Sequence, residues 1–175
     1  ARQMLNEAFQ AGENVLLLLQ QHADFIDAVL QHLWNASRIS SQRATLVAVG
    51  GYGRRELHPA SDVDLMVLLT ENPQAECNER LSAFITLLWD IGLDVGHSVR
   101  TLDECLEAAS NDLTIITNLI ESRYVTGNEN LYRALQDAIS PEQMWDSRAF
   151  FMAKLEEQQK RHLRFGDSSH RVEPN

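Results

Sequence analysis

The sequence predicts an α+β fold: a small sheet of three or more strands flanked by helices, with helical extensions at the N- and C-termini. Three observations carry this expectation. Apolar residues at helical spacing fill the first forty positions and return near the end, short apolar runs bounded by turn residues occupy the middle, and two capping boxes separate them. A chain of 175 residues can bury one sizeable core, so one main domain is expected. Its expected divisions are a helical segment over 1–40, a central domain over 41–140 and a C-terminal helix over 141–175.

At the N-terminal end, Met4, Leu5, Ala8 and Phe9 make one amphipathic set. Gly12 interrupts, Val15–Leu19 resumes, and Phe25, Val29, Leu30, Leu33 and Trp34 form a second apolar face. The polar stretch Asn35–Arg43 ends this helical region. Thr45–Val49 is then a short buried strand stopping at Gly50-Gly51, and Asp62–Leu69 is a second, apolar apart from its two acids. Leu81, Phe84, Ile85, Leu88 and Trp89 set a helix over 76–91, closed by Gly92 at the position that favours positive φ. Leu93–Arg100 is the third strand. Thr101-Leu102-Asp103-Glu104 is a capping box for a helix reaching about Ser110, and Leu113–Val125 reads as a further helix whose Ile and Thr content leaves strand open. Ser140-Pro141-Glu142-Gln143 is the second capping box and starts the C-terminal helix.

Composition narrows the function classes. The hydrophobic share is 44%, the charged share 23%, and no apolar run approaches a bilayer span, so no membrane is expected. The first residues lack the order of a secretory signal and an initiator Met, which points to a cytoplasmic protein cut from something longer. A net charge of −10 argues against nucleic acid as a partner. Lys154 and Lys160 stand against 13 arginines, the residue suited to forked contacts with phosphate or carboxylate. Cys77 and Cys105 fit no zinc spacing and read as two buried, reduced thiols.

Side chains alternate along a strand, so Asp62 and Asp64 point to one face while Val63 and Leu65 point to the other. Two carboxylates on one face make a metal cradle, able to hold two Mg2+ ions about 4 Å apart against a triphosphate. Gly50 and Gly51 lack the side chains that would keep a phosphate from the backbone, and a helix starting near Gly51 would offer it free N–H groups. Read for structure alone, the glycines are a tight turn and Asp62 a cap at the strand start. Asp94, flanked by Leu93 and Val95, shares a face with Gly96, Ser98 and Arg100 and is the candidate third acid, as metal ligand or general base. Arg100 can meet a phosphate or pair with a nearby Glu. His97, on the opposite face, reads as a packed core histidine.

A strand, a glycine pair, ten intervening residues and an acidic pair on the next strand resemble the polymerase-beta-type nucleotidyltransferases. More specifically, Val49-Gly50-Gly51-Tyr52-Gly53-Arg54-Arg55-Glu56-Leu57-His58-Pro59 with Ser61–Leu65 resembles the bacterial PII uridylyltransferase/uridylyl-removing enzymes. The likeness continues through Leu87–Thr101, Asn118–Arg123 and Glu173-Pro174-Asn175, so it covers nearly the whole chain. It implies the nucleotidyltransferase fold with a mixed sheet, and Mg-dependent transfer of UMP from UTP to a tyrosine hydroxyl of the PII signalling protein in nitrogen regulation. Carried over by position, Gly50 and Gly51 are the glycine pair, and Asp62, Asp64 and Asp94 are expected to be catalytic and hold metal; Arg54 and Arg100 are expected to bind nucleotide together with the glycines. Arg55 stands where many members have glycine and reads as a solvated loop residue.

Members of that family continue into a metal-dependent hydrolase and glutamine-sensing modules. The six histidines, His22, His32, His58, His97, His162 and His170, form no adjacent His-Asp pair, so the hydrolytic part is expected to be absent and 141–175 to begin the connection to it. Two other readings compete: an adenylyltransferase acting on glutamine synthetase, and a non-catalytic interaction fragment that keeps the fold.

Overall fold

The computed structural model of the chain describes residues 10–58 and 61–139, together with helical positions at 152, 155 and 159. The expected turn set around Met4–Phe9, the Ser140 capping box and most of the C-terminal helix lie outside the described residues.

Helix α1, Val15–Ala36, begins after Gly12 (φ 85°), with the Asn14 side chain accepting from the Leu16 N–H at 2.9 Å. Its buried stripe is Leu19, Ala23, Ile26, Leu30 and Trp34, at spacings of three and four. Phe25, expected on the inner face, is exposed, because it sits one residue and about 100° from Ile26 on the helix. Two expected apolar faces are thus one continuous helix with a single inward stripe.

Strand β1, Ala44–Ala48, leads into a one-turn helix α2, Gly50–Gly53. Strand β2, Val63–Leu69, follows; helix α3, Ala75–Asp90, ends with Gly92 at φ 81°; and strand β3 is Val95–Thr101. The Thr101–Glu104 capping box forms as expected and starts α4, Leu102–Asn111. Helix α5, Leu113–Ile120, is capped by Asp112 and is shorter than the helix expected over 113–125. Arg123–Gly127 is instead strand β4, built on Tyr124, Val125 and Thr126, residue types that favour a strand. Gly127 closes it at φ 106°, where an added Cβ would lie 2.4 Å from the Ala44 carbonyl oxygen. Helix α6, Glu129–Ala138, is capped by Asn128 and has no counterpart among the expected elements.

The four strands form one mixed sheet in the order β3-β2-β1-β4. β1 runs antiparallel to both β2 and β4, while β2 and β3 are parallel, the crossover between them being α3. Strand parity divides the interior in two. Leu46, Ala48, Val63, Leu65, Val67 and Leu69 pack against α1 and α3, where Trp34 meets Phe84 edge to face at 5.4 Å. Val47, Met66 and Leu68 pack on the other face against α4, α5 and α6. The helix layer over this second face covers Met66 and Leu68 and leaves Asp64, one pleat earlier, half-buried.

Candidate active site

Asp64 is the best-defined polar group of the site. Its carbonyl accepts from the Val49 N–H at 3.0 Å, extending the β1–β2 ladder to the edge of α2. Its carboxylate passes between two glycines: a Cβ on Gly50 would lie 2.9 Å from one oxygen, and a Cβ on Gly96 would lie 2.6 Å from the other. Gly50 also has φ 60°, a conformation side chains rarely adopt. The glycine needed here therefore serves the carboxylate as well as any phosphate. Gly51 is open by comparison, an added Cβ there coming no closer than 3.7 Å, to the Glu56 carbonyl oxygen.

Asp62 is exposed at the mouth of β2, near enough that its charge acts on Asp64. Burial first, and the Asp62 charge second, hold the Asp64 carboxyl above the usual carboxylate range. Among the described residues no side chain makes an ion pair or hydrogen bond to Asp62, Asp64 or Asp94. Two neighbouring carboxylates, one half-buried, without a basic partner suit a bound cation, and acidic oxygens are the donors a hard divalent ion takes.

Asp94 is exposed and its carbonyl accepts from the Val63 N–H at 2.8 Å. Asp62 and Asp94 each immediately precede the first registered pair of β2 and β3, Val63 with Val95. The backbone thus brings Asp94 beside the acidic pair, although no group of three His, Cys, Asp or Glu side chains is gathered to hold a metal among the described residues. Arg100 registers with Leu68, four residues or about 13 Å along the strands from the Asp64 level. Arg54 donates to Glu56 at 2.8 Å and to Glu121 at 2.6 Å. Both arginines expected to meet nucleotide are therefore placed away from Asp64 or already paired. A cavity of about 310 Å³ bordered by Arg38, Leu69, Cys77 and Arg80 lies at the far end of β2, away from the acids.

Sequence reasoning missed a cluster behind α2 in which Tyr52 and Asp27 are buried and Arg123 is half-buried. Tyr52 is 1% exposed and its hydroxyl donates to Asp27 of α1, while Arg123 of β4 donates to both Asp27 oxygens, at 2.5 and 3.0 Å. The Arg123 guanidinium also reaches the Tyr52 carbonyl at 3.4 Å and sits 5.2 Å from the Tyr52 ring centre. Burial, and then the Asp27 carboxylate, push the Tyr52 hydroxyl well above its ordinary range, so it stays a donor. One signal was available: Asp27 falls on the buried stripe of α1, where an acid needs a partner.

Two smaller expectations are corrected and a third is refined. His97 is exposed and in edge-to-face contact with Trp89 at 5.7 Å, not a core histidine, because β3 is an edge strand of the sheet. Only Cys105 of the two cysteines is buried, 3.7 Å from the Met66 sulfur; Cys77 is half-exposed. Arg55 is exposed, as expected, but has φ 61° and pairs with Asp24 at 2.8 Å, so the backbone there has the shape glycine takes without strain.

Across its full length the chain is 48% identical to a bifunctional uridylyltransferase/uridylyl-removing enzyme of Azotobacter vinelandii and 48% identical to one of Stutzerimonas stutzeri. It is 46% identical to that of Pseudomonas syringae. In each case the chain spans 20% of the relative's length. A solved toxin-antitoxin structure with AMP-PNP is 14% identical, matches over 71% of this chain and 85% of its own, and has a TM-score of 0.35, too low to bear on the argument. The nucleotidyltransferase domain family matches residues 12–125, which include the α1 stripe, the glycine turn, Asp62, Asp64, Asp94 and the β4 arginine. By that match over more than half of its length, the chain belongs to the nucleotidyltransferase domain family.

Proposed function

We propose that this domain transfers UMP from UTP to a tyrosine hydroxyl of a PII-type signalling protein, with Mg2+ bound and pyrophosphate released. The observation that carries the reading is the Asp62–Asp64 carboxylate pair, unpartnered among the described residues, with Asp64 seated against Gly50 and Gly96. Full-length likeness to proteins named uridylyltransferases supports the uridylyl group as cargo.

Nucleotidyltransferase domains generally use divalent metal ions. Asp62 and Asp64 would hold them, with Asp94 as third ligand or as acceptor of the hydroxyl proton. When bound, such ions neutralise the triphosphate and favour the ionised attacking oxygen. The chain's own contribution is placement. Asp64 is fixed by its strand and the two glycines, and the α2 backbone, with no side chain at Gly50 or Gly51, leaves room for phosphate. The tyrosine oxygen forms a bond to the α-phosphorus, the α–β phosphoanhydride bond breaks, and the hydroxyl proton leaves to Asp94 or to water.

The test is to incubate the chain with PII and Mg2+ and either UTP or ATP, labelled at the α-phosphate. Label on PII from UTP is expected. Label from ATP alone would replace the uridylyl assignment with the adenylyl one, and the absence of any triphosphate-dependent rise in melting temperature would favour a non-catalytic fragment.

A further inference from the structure

We infer that Asp27, Tyr52 and Arg123 are positioning residues: a partly buried clamp that fixes the one-turn helix α2 and thereby sets the nucleotide site without touching the nucleotide. The inference rests on the nucleotidyltransfer reading of that site.

Helix α2 cannot hold its own shape. It is four residues long, and a single helical turn is unfavourable because it fixes several backbone angles for one hydrogen bond. Three of the four are glycine, the residue that loses most conformational freedom on ordering. Tyr52 is the only side chain α2 possesses, and it is the one held from both ends by the cluster.

The attachment is stereochemically specific. Arg123 registers with Ala48, so it leaves the sheet where β1 gives way to α2. From there its guanidinium binds the Tyr52 carbonyl and shares Asp27 with the Tyr52 hydroxyl, fixing α2 through backbone and side chain together. The same short segment takes hold of the far end of α2. A Cβ on Gly53 would lie 2.7 Å from the Glu121 carbonyl oxygen, and the Glu121 carboxylate takes Arg54 at 2.6 Å. At the other end of α2, a Cβ on Gly50 would lie 2.9 Å from an Asp64 carboxylate oxygen. A shift of α2 by 1 Å would therefore alter both the phosphate approach and the seat of the acid, and displacements of that size can cost about 100-fold in rate.

A buried ion pair that merely stabilises the fold would behave differently. Replacing such a pair with apolar groups of similar size often preserves or raises stability. The combined variant Asp27→Leu/Arg123→Met and the single variant Tyr52→Phe separate the two roles. Each is assayed for its melting temperature, for its Kd for UTP with Mg2+ and for transfer to PII, at a temperature where it is folded.

Tyr52→Phe is expected to melt within about 5 °C of the parent, since one hydrogen bond is lost, while its Kd for UTP rises about tenfold. The double variant is expected to melt cooperatively with a Kd raised at least as far. Loss of stability alone does not move Kd in a folded sample. If the parent chain binds UTP and either folded variant keeps Kd and transfer rate within about twofold, the clamp is overturned while the nucleotidyltransfer reading stands. If the parent binds no triphosphate, that reading fails first and takes the clamp with it.

Discussion

Asp64 shows how one position answers to several demands. In the proposed reaction it must be acidic to hold a cation and fall on the correct strand face, and in the fold it must lie against two positions with no side chain, Gly50 and Gly96. Because its charge is desolvated and unpartnered among the described residues, Asp64→Asn is expected to leave the metal-free melting temperature unchanged or higher. Transfer should fall by at least about 100-fold. Circular-dichroism melting beside the labelled-UTP assay checks both, and retained transfer would remove Asp64 from the metal site. The acids and the glycine pair were legible in the sequence because they lie within 15 residues and obey the two-residue strand period. Gly96 was legible in principle, since a glycine inside a strand marks a close approach. Asp27 and Arg123 were not paired in advance: 96 residues separate them, and their contact exists only once α1 lies against β4.

Among the elements, α5 and β4 show where periodicity misleads. Leu113–Ile120 carries five Ile and Thr residues and Tyr124-Val125 follow, so one apolar pattern fits both a helix and a strand; the turn at 121–122 that divides them contains neither glycine nor proline. Helix α4, in contrast, was readable because its capping box is local. Its Cys105 is wholly buried against Met66, and burial pushes the thiol up to about 11. At pH 8 it should resist alkylation, and the native chain should take up one equivalent of iodoacetamide, at Cys77. Two equivalents under native conditions would contradict the packing. Cys105 also fixes a sign. The folded state keeps its proton to higher pH than the unfolded state, so this contribution to stability is whole below pH 8.5 or so and falls as pH rises towards 11. The midpoint of urea unfolding should therefore decline over that window, and Cys105→Ala should flatten part of the decline.

At the scale of the molecule, α1 is part of the main core rather than an appendage. Ala23, Ile26, Leu30 and Trp34 share one apolar cluster with Leu46, Leu65 and Phe84. Burial of each larger side chain contributes about 1.5–3 kcal/mol, and a domain's net stability is only about 5–15 kcal/mol. Deleting residues 1–40 is expected to abolish cooperative unfolding; a sharp calorimetric transition in the truncated chain would show the opposite. The sequence marked 1–40 as helical but could not show what those helices cover, because an amphipathic stripe names a face and not its partner. The Asp27–Arg123 pair adds a consequence for portability. The glycine turn and the acidic pair proposed to hold metal are contiguous enough to be copied as one cassette, 49–64, but the stiffness of that cassette is borrowed from a helix before it and a strand long after it. Grafted into another scaffold, it would bring the ligands and leave behind the frame that aims them.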